Sequence, residues 1–315
     1  MIVVIPNHLP TLDFLKEWEE LKQCKIIVIQ DIGEKPSIPD GFDVVIYDHK
    51  DIEKDLGKNS WIIPSRTSAC RSYGYYKAWQ LGDSVIATLD NDCFPEVRDY
   101  WINGHLTNLL TLVTLGWESS VKDIPTRGFP YTIRDKSEVV LSHGLWSNVP
   151  DFDGIDMLKQ PDKRFQRCND LKFIPKNNFY PMCGMNLAWK REITPLLYFC
   201  LQGPDWGFDQ YDDIFAGVFS KKIIDFMNKA VISGYPSVEH RKQSNAFVNL
   251  KKQVNGLFLN ENLWKVVDDI KLTENSPEKL YRELAEKLPE TIDGDVNGWL
   301  KKQKEAMIIW SKLFE

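Results

Sequence analysis

A chain of 315 residues with 43% hydrophobic and 27% charged side chains has the make-up of an ordinary globular protein, sized for one large domain or one domain with an appendage. Its 39 Lys and Arg against 45 Asp and Glu leave a net charge of −6, which argues against a general nucleic-acid binder, whose footprint is a basic face. No apolar stretch reaches membrane-spanning length, and six cysteines without a Cys-x-x-Cys pair favour reduced thiols over a disulfide framework or structural zinc.

The apolar run at residues 2–6 reads as a core strand, since no basic segment or cleavage site marks a leader, and the expected location is the cytoplasm. Residues 11–22 predict a helix with Thr11 as N-cap and Phe14, Leu15, Trp18 and Leu21 on one face. A second strand at 25–30 ends at Asp31, short strands follow at 44–47 and 61–64, a helix at 68–81, and a strand at 84–89. The apolar stretch at 109–115, broken by Thr, reads as a buried helix. Strands alternating with helices predict a mostly parallel sheet with ligands outside the strands' carboxyl ends, where Asp31, Asp90 and Asp92 would gather.

Val85, Ala87 and Leu89 alternate in the last of these strands, so Asp90 and Asp92 beyond it project the same way. Two carboxylates aimed together attract a divalent cation, which can hold a diphosphate through its own oxygens. The same residues also fit a simple turn after a strand. Residues 127–207 are rich in Gly, Pro, Asn and aromatics, weakly periodic, and read as the loop-heavy seat of the chemistry. From Asp212 a helix is expected with Phe215, Phe219 and Ile223 on one face, its first residues Asp212 and Asp213 favoured by the helix dipole. A strand is expected at 230–232, and Lys/Glu-rich helices at 278–288 and 296–314 read as a packing or oligomerisation element.

The runs SACRSYGY (68–75), LDNDCF (89–94), RGFPYTIRD (127–135), HGLWSNVPDFD (143–153), FIPKNNFYPMCGMNLAW (173–189), QYDDIFAG (210–217) and SNAFVNLKK (244–252) closely resemble, in the same order, the reversibly glycosylated polypeptide family, whose plant members are UDP-arabinopyranose mutases. Family members usually have Asp at the position of Asn91 and Asp-Gly-Asp where this chain has Asp31-Ile32-Gly33; the outer pair Asp90 and Asp92 is kept. The resemblance implies a GT-A-type, Rossmann-like α/β fold over residues 1–257, binding a UDP-sugar, with 258–315 a helical extension packing on the domain or on a partner subunit. It implies a metal-dependent mutase that interconverts pyranose and furanose forms, or else a self-glycosylating transferase or a non-catalytic partner subunit. The metal would be Mn²⁺, with Mg²⁺ as the other choice. No flavin is implied, and no Gly-x-Gly-x-x-Gly follows the first strand. Neither a nucleic acid nor a membrane is expected as a partner, and a homo-oligomer is open.

Within that scheme Asp92 is the first metal ligand, Asp90 contacts the ribose or a metal-bound water, and His240 is the third protein group or a solvated loop histidine. Asp31 accepts from the uracil N–H or starts a turn; Arg71 binds phosphate near a helix start or forms a surface ion pair; Lys251 screens the diphosphate or is merely solvated. Asp212 and Asp213 grip sugar hydroxyls, stabilise positive charge at the anomeric carbon or cap their helix. Gly184 permits close backbone approach, and Asn186 offers a donor and an acceptor to the sugar. His143, Trp146 and Asp151 shape the acceptor side or belong to the core. The resemblance further implies that Arg134 either carries the sugar covalently or stabilises the departing UDP; a guanidinium stays protonated, so the first role needs a nearby base and desolvation.

Overall fold

The structure is a computed structural model that describes residues 1–315 except 98, 99, 118, 122, 123, 135 and 243. In chain order its elements are β1 (Ile2–Asn7), β2 (Lys25–Gln30), β3 (Asp43–Tyr47), α1 (His49–Leu56), α2 (Arg71–Leu81), β4 (Val85–Leu89), β5 (Cys93–Pro95), α3 (Trp101–Leu109), β6 (Leu112–Val113), β7 (Ser137–Asn148), α4 (Gly154–Lys159), β8 (Leu171–Ile174), β9 (Asn186–Lys190), α5 (Asp212–Phe226), β10 (Ala230–His240), α6 (Ala246–Asp269), α7 (Pro277–Lys287) and α8 (Trp299–Ser311). The sheet has the order β3-β2-β1-β4-β9-β7-β10-β5. Strands β3, β2, β1 and β4 are parallel, as are β7 and β10, and β9 lies antiparallel between the two groups. The expected mostly parallel α/β sheet is therefore present.

Side-chain alternation along the strands sorts the apolar residues into two cores. Ile2, Val4, Ile27 and Ile29 face one layer, which holds α2, α5, α7 and α8; Val3, Ile5, Ile26 and Val28 face the other, with Trp18 and α3. Burial on both faces is what a parallel interior strand requires. Helix α2 comes close to the sheet only because residue 74 is glycine: a Cβ there would stand 2.4 Å from Cγ1 of Val4.

The chain after residue 257 is built into the same core. Helix α6 runs straight through that position, and Trp299 and Trp310 are fully buried, donating to Leu201 O (2.7 Å) and Pro195 O (2.9 Å). No helix among the described residues is long and apolar enough to cross a membrane.

Several elements differ from the sequence expectation. Residues 11–22 form two 3₁₀ segments, Asp13–Glu17 and Glu19–Gln23, in place of one α-helix. The buried residues Leu12, Leu15, Trp18 and Leu21 recur every three positions, the 3₁₀ repeat, and Leu12 N–H donates to Ser37 O (2.9 Å). The strand expected at 61–64 is the end of a 3₁₀ segment, Gly57–Ile62, since a short apolar run does not distinguish the two. The stretch 109–115 is not a buried helix: α3 stops at Leu109, Leu110 is 81% exposed, and Leu112–Val113 pairs with the start of β7. Its β-branched Thr111, Val113 and Thr114 suit extended backbone better than helix. The segment read as loop-heavy contains the twelve-residue strand β7, and the strand expected at 230–232 continues as β10 to His240. Gly234 and Pro236 interrupt its pattern; Gly234 has φ +134° and a Cβ there would meet Asp170 O at 2.0 Å.

Gly74→Ala should cost about 1–3 kcal/mol, the range for overpacking a tight contact. Urea unfolding would show it as a lowered midpoint with unchanged slope; a wild-type midpoint would mean that α2 is not held against β1.

Candidate functional site

The carboxyl ends of β1, β2 and β4 are tied by a relay of amides. Asn91 Nδ2 donates to Asn7 Oδ1 (2.9 Å), Asn7 Nδ2 to Gln30 Oε1 (2.7 Å), and Gln30 Nε2 to Ile32 O (2.6 Å). The residue between the two aspartates is thus a structural peg. An amide can both give and receive in such a relay, where a carboxylate can only accept.

Asp90 is held by Arg71, whose Nη2 lies 2.5 Å from its Oδ1. The guanidinium is 2% exposed; Nε donates to Ser68 O (3.0 Å), and Nη1 to Gly184 O (2.6 Å) and Thr88 Oγ1 (3.2 Å). Burial opposes its charge, but Asp90 and Asp212 outweigh that and hold it firmly protonated. The cation expected to meet phosphate is therefore enclosed and largely committed to orienting Asp90. Gly184 is needed for this fit: a Cβ there would stand 2.6 Å from the Phe199 ring and 3.0 Å from Arg71 Nη1.

Asp92 faces the end of β10. Antiparallel pairing of β5 with β10 sets His240 opposite Cys93 and leaves His240 Nε2 3.9 Å from Asp92 Oδ2. The other ring nitrogen, Nδ1, donates to Val149 O (3.0 Å), because a carbonyl can only accept. In the neutral ring the Nε2 lone pair is then free, the arrangement found in metal-binding histidines with a second-nitrogen anchor. Burial and the charge of Asp90 raise the Asp92 carboxyl above its ordinary value, against the pull of His240 and of Lys242 Nζ at 3.6 Å. The donor set fits a divalent cation shared with an oxygen-rich ligand. Among the described residues no three His, Cys, Asp or Glu side chains are grouped to hold an ion alone, so a cation here needs oxygens from its ligand.

The third part is the start of α5. Asp212, 2% exposed, accepts from Ser68 Oγ (2.9 Å), and Asp213 accepts from Gly184 N–H (2.8 Å). Burial raises the Asp212 carboxyl to about 6, even against Arg71. Burial, then Asp212 and Asp151, push the Asp213 carboxyl well above its ordinary value. Two neighbouring buried carboxylates share the cost of ionisation unequally, so ionising one opposes ionising the other. Asp151 accepts from Cys183 Sγ at 2.8 Å. Repulsion between neighbouring acids links them in a chain: Asp90 acts on Asp92 and on Asp151, and Asp151 and Asp212 act on Asp213.

Other expected site residues are placed elsewhere. Asn186 is fully buried and uses both ends of its amide: Oδ1 accepts from Trp101 Nε1 (2.8 Å) and His105 Nε2 (2.9 Å), and Nδ2 donates to Leu145 O and Pro236 O (both 2.9 Å). It joins α3, β7, β9 and β10 and is not available to a sugar. Lys251 is exposed on α6, and its neighbour Lys252 pairs with Asp209 at 3.4 Å. Asp31 Oδ1 accepts from Arg66 N–H (2.7 Å) and meets His49 Nε2 (2.9 Å); that hydrogen bond raises the His49 ring above its ordinary value. His143 is buried beside Ser233 and Tyr180, and burial lowers its ring to about 4. Trp146 packs on Phe152 and Phe165.

Arg134 has local contacts: its guanidinium lies 3.6 Å from the centre of the Tyr131 ring, and Nη2 donates to Phe129 O (3.1 Å). It precedes the first residue of β7, whereas Asp90 follows Leu89, which is in register with Asn186. Asn186 Nδ2 in turn reaches Leu145 O. Eight strand residues, roughly 26 Å, separate Ser137 from that level, so Arg134 and the carboxylates occupy opposite edges of the sheet. Asp135 lies outside the described residues.

Lys242, Ser68, Asn7 and His49 escaped the sequence reading. Ser68 and Asn7 carried the usual signal of a polar residue where an element begins or ends; Lys242 and His49 depend on tertiary pairing that no local pattern displays.

A 3-2-1-4 sheet with carboxylates gathered at its carboxyl end has the Rossmann-like GT-A type of architecture. The model of the family described as "Reversibly glycosylated polypeptide" matches residues 1–315, and relatives align over nearly the full length. "Probable UDP-arabinopyranose mutase 1" of Pisum sativum is 35% identical, covering 99% of this chain and 90% of the relative. "UDP-arabinopyranose mutase 1" of Oryza sativa subsp. japonica is 34% identical with the same coverage, and "UDP-arabinopyranose mutase 3" of Arabidopsis thaliana 35%, again over 99% and 90%. The chain belongs to the reversibly glycosylated polypeptide family.

A carboxyl raised in the folded state stabilises the fold fully below its unfolded value, near 3.9, and that contribution is lost as pH rises through about 6. Asp212→Asn removes the loss. Between pH 4 and pH 7.5 the wild type should lose about 2–3 kcal/mol relative to Asp212→Asn, measured by urea unfolding at each pH. An equal difference at the two pH values would mean that Asp212 ionises normally.

Proposed function

We propose that the protein is a UDP-sugar mutase that interconverts the pyranose and furanose forms of the sugar on UDP, with arabinose as the first sugar to test. The observation that carries this reading is the relationship itself: one family model spans the whole chain, and relatives bearing the mutase name align over 99% of it. The site is suited to the reaction. Asp92 and His240 would hold a divalent cation, Mn²⁺ by this donor set, with Asp90 fixed alongside by Arg71. When bound, the cation neutralises the diphosphate as a leaving group. Asp31, with His49 and the Arg66 N–H on one carboxylate oxygen, has its second oxygen for the uracil N–H.

The Asp212–Asp213 pair supplies the other half. UDP departs with the electron pair of the anomeric C–O bond, leaving positive charge that an ionised carboxylate stabilises. Ring exchange then requires one hydroxyl to give up a proton as it closes on the anomeric carbon, while the former ring oxygen gains one. A carboxyl pair sharing a proton performs both transfers with no net change. UDP adds again to the new ring.

Incubation with UDP-arabinopyranose, other UDP-pentoses and UDP-hexoses, with products separated by chromatography, tests the reading. The expected product is the UDP-furanose. Asp92→Asn and His240→Ala should each slow its formation by about tenfold or more. Hydrolysis to UDP alone, or sugar recovered only on protein, would overturn it in favour of a hydrolase or a self-glycosylating transferase.

A further inference from the structure

The other end of α5 borders a cavity of about 280 Å³ that the reaction does not use. It lies between the segment after β8, the last turns of α5 and the end of α6. Lys222 is nine residues beyond Asp213 on α5, about 14 Å along the helix, so this cavity is separate from the carboxylate cleft. Its volume is close to the lower bound of about 300 Å³ for ligand pockets, which limits an occupant to one small molecule.

Its charge is unbalanced. Lys221 pairs with Asp225 at 2.6 Å, and Lys222 sits 3.6 Å from the Asp268 carboxylate while donating to its carbonyl at 2.6 Å. Both acids are thereby matched. Four lining lysines thus face two acids: Lys176 donates to the neutral Asn228 Oδ1 at 3.2 Å and shares the field of Asp225 with Lys221, and the Lys271 ammonium has no hydrogen bond or ion pair among the described residues. The apolar part of the wall includes Phe179, itself braced by Trp264 with ring centres 6.0 Å apart, and Phe226, which is 47% exposed.

We propose that this cavity is a second binding site, for a phosphomonoester on a flat apolar body such as a nucleoside monophosphate. The surplus of two ammonium charges meets the charge of about −1.5 to −2 on a phosphomonoester, and the phenylalanines meet the ring.

Calorimetric titration of the full chain with AMP and with inorganic phosphate tests this, on wild type, Lys176→Glu/Lys271→Glu, Phe226→Ala and, for the cleft, Asp92→Asn. The expected result is AMP binding that Asp92→Asn leaves unchanged and the double charge reversal weakens by about tenfold or more. Phe226→Ala should weaken AMP while leaving phosphate as it was. Circular dichroism checks that the charge reversals fold, and Lys176→Ser/Lys271→Ser replaces them where they do not. Absence of AMP binding, binding unaffected by both lysine variants, or binding lost in Asp92→Asn would overturn the proposal, whatever the outcome of the mutase assay.

Discussion

The ion pair between Arg71 and Asp90 is the constraint on which the site rests. Arg71 is enclosed at the start of α2 and reaches across to the end of β4 and to the carbonyl of Gly184. A buried guanidinium costs several kcal/mol in lost hydration, and breaking such a pair from one side typically costs about 3–5 kcal/mol. The structure meets that cost with further acceptors: Ser68 O, Thr88 Oγ1 and Gly184 O. Each acceptor belongs to a part that the cleft needs. Gly184 carries the N–H that binds Asp213, Ser68 donates to Asp212, and Thr88 precedes the aspartate pair on β4. The seat of α2, permitted by Gly74, thereby sets the position of carboxylates at the end of β4 and at the start of α5.

That arrangement leaves an acid-rich cleft in an acidic protein, an unfavourable place for a nucleotide diphosphate unless positive charge is added. The buried Arg71 is matched by Asp90, and Lys242 lies by Asp92 on the rim. A cation at Asp92 and His240, and a proton retained by Asp212 and Asp213, are the two remaining ways to offset the negative charge. In the proposed reaction the first would act at the phosphates and the second where hydroxyl protons move. The division follows from backbone placement: Asp92 sits in the turn between β4 and β5, facing His240 at the end of β10, whereas Asp212 and Asp213 begin a helix behind Gly184.

Much of this was legible in the chain. The alternation of Val85, Ala87 and Leu89 located β4 and the aspartates at its end, and Asp212 marked the first turn of α5. The exceptions have physical causes. Leu12, Leu15, Trp18 and Leu21 carry a period of three that resembles a helical face over so short a span. Gly234 and Pro236 hid the second half of β10, so His240 looked like a loop residue rather than the end of a strand. Arg71 and Asn186 are polar side chains whose partners lie up to 113 and 85 residues away, and composition does not separate a buried, satisfied polar group from a ligand-binding one. The covalent role expected of Arg134 came from resemblance; its place at the amino end of β7 is a property of strand length, which local pattern in a Gly- and Pro-rich region did not reveal.

Titration of UDP into the protein with and without Mn²⁺, followed by isothermal calorimetry, tests the central claim that Asp92 and His240 form a phosphate-side anchor completed by a cation. UDP should bind more tightly when Mn²⁺ is present, and that gain should vanish in His240→Ala. Equal UDP affinity with and without the metal, or a gain that survives His240→Ala, would contradict the account.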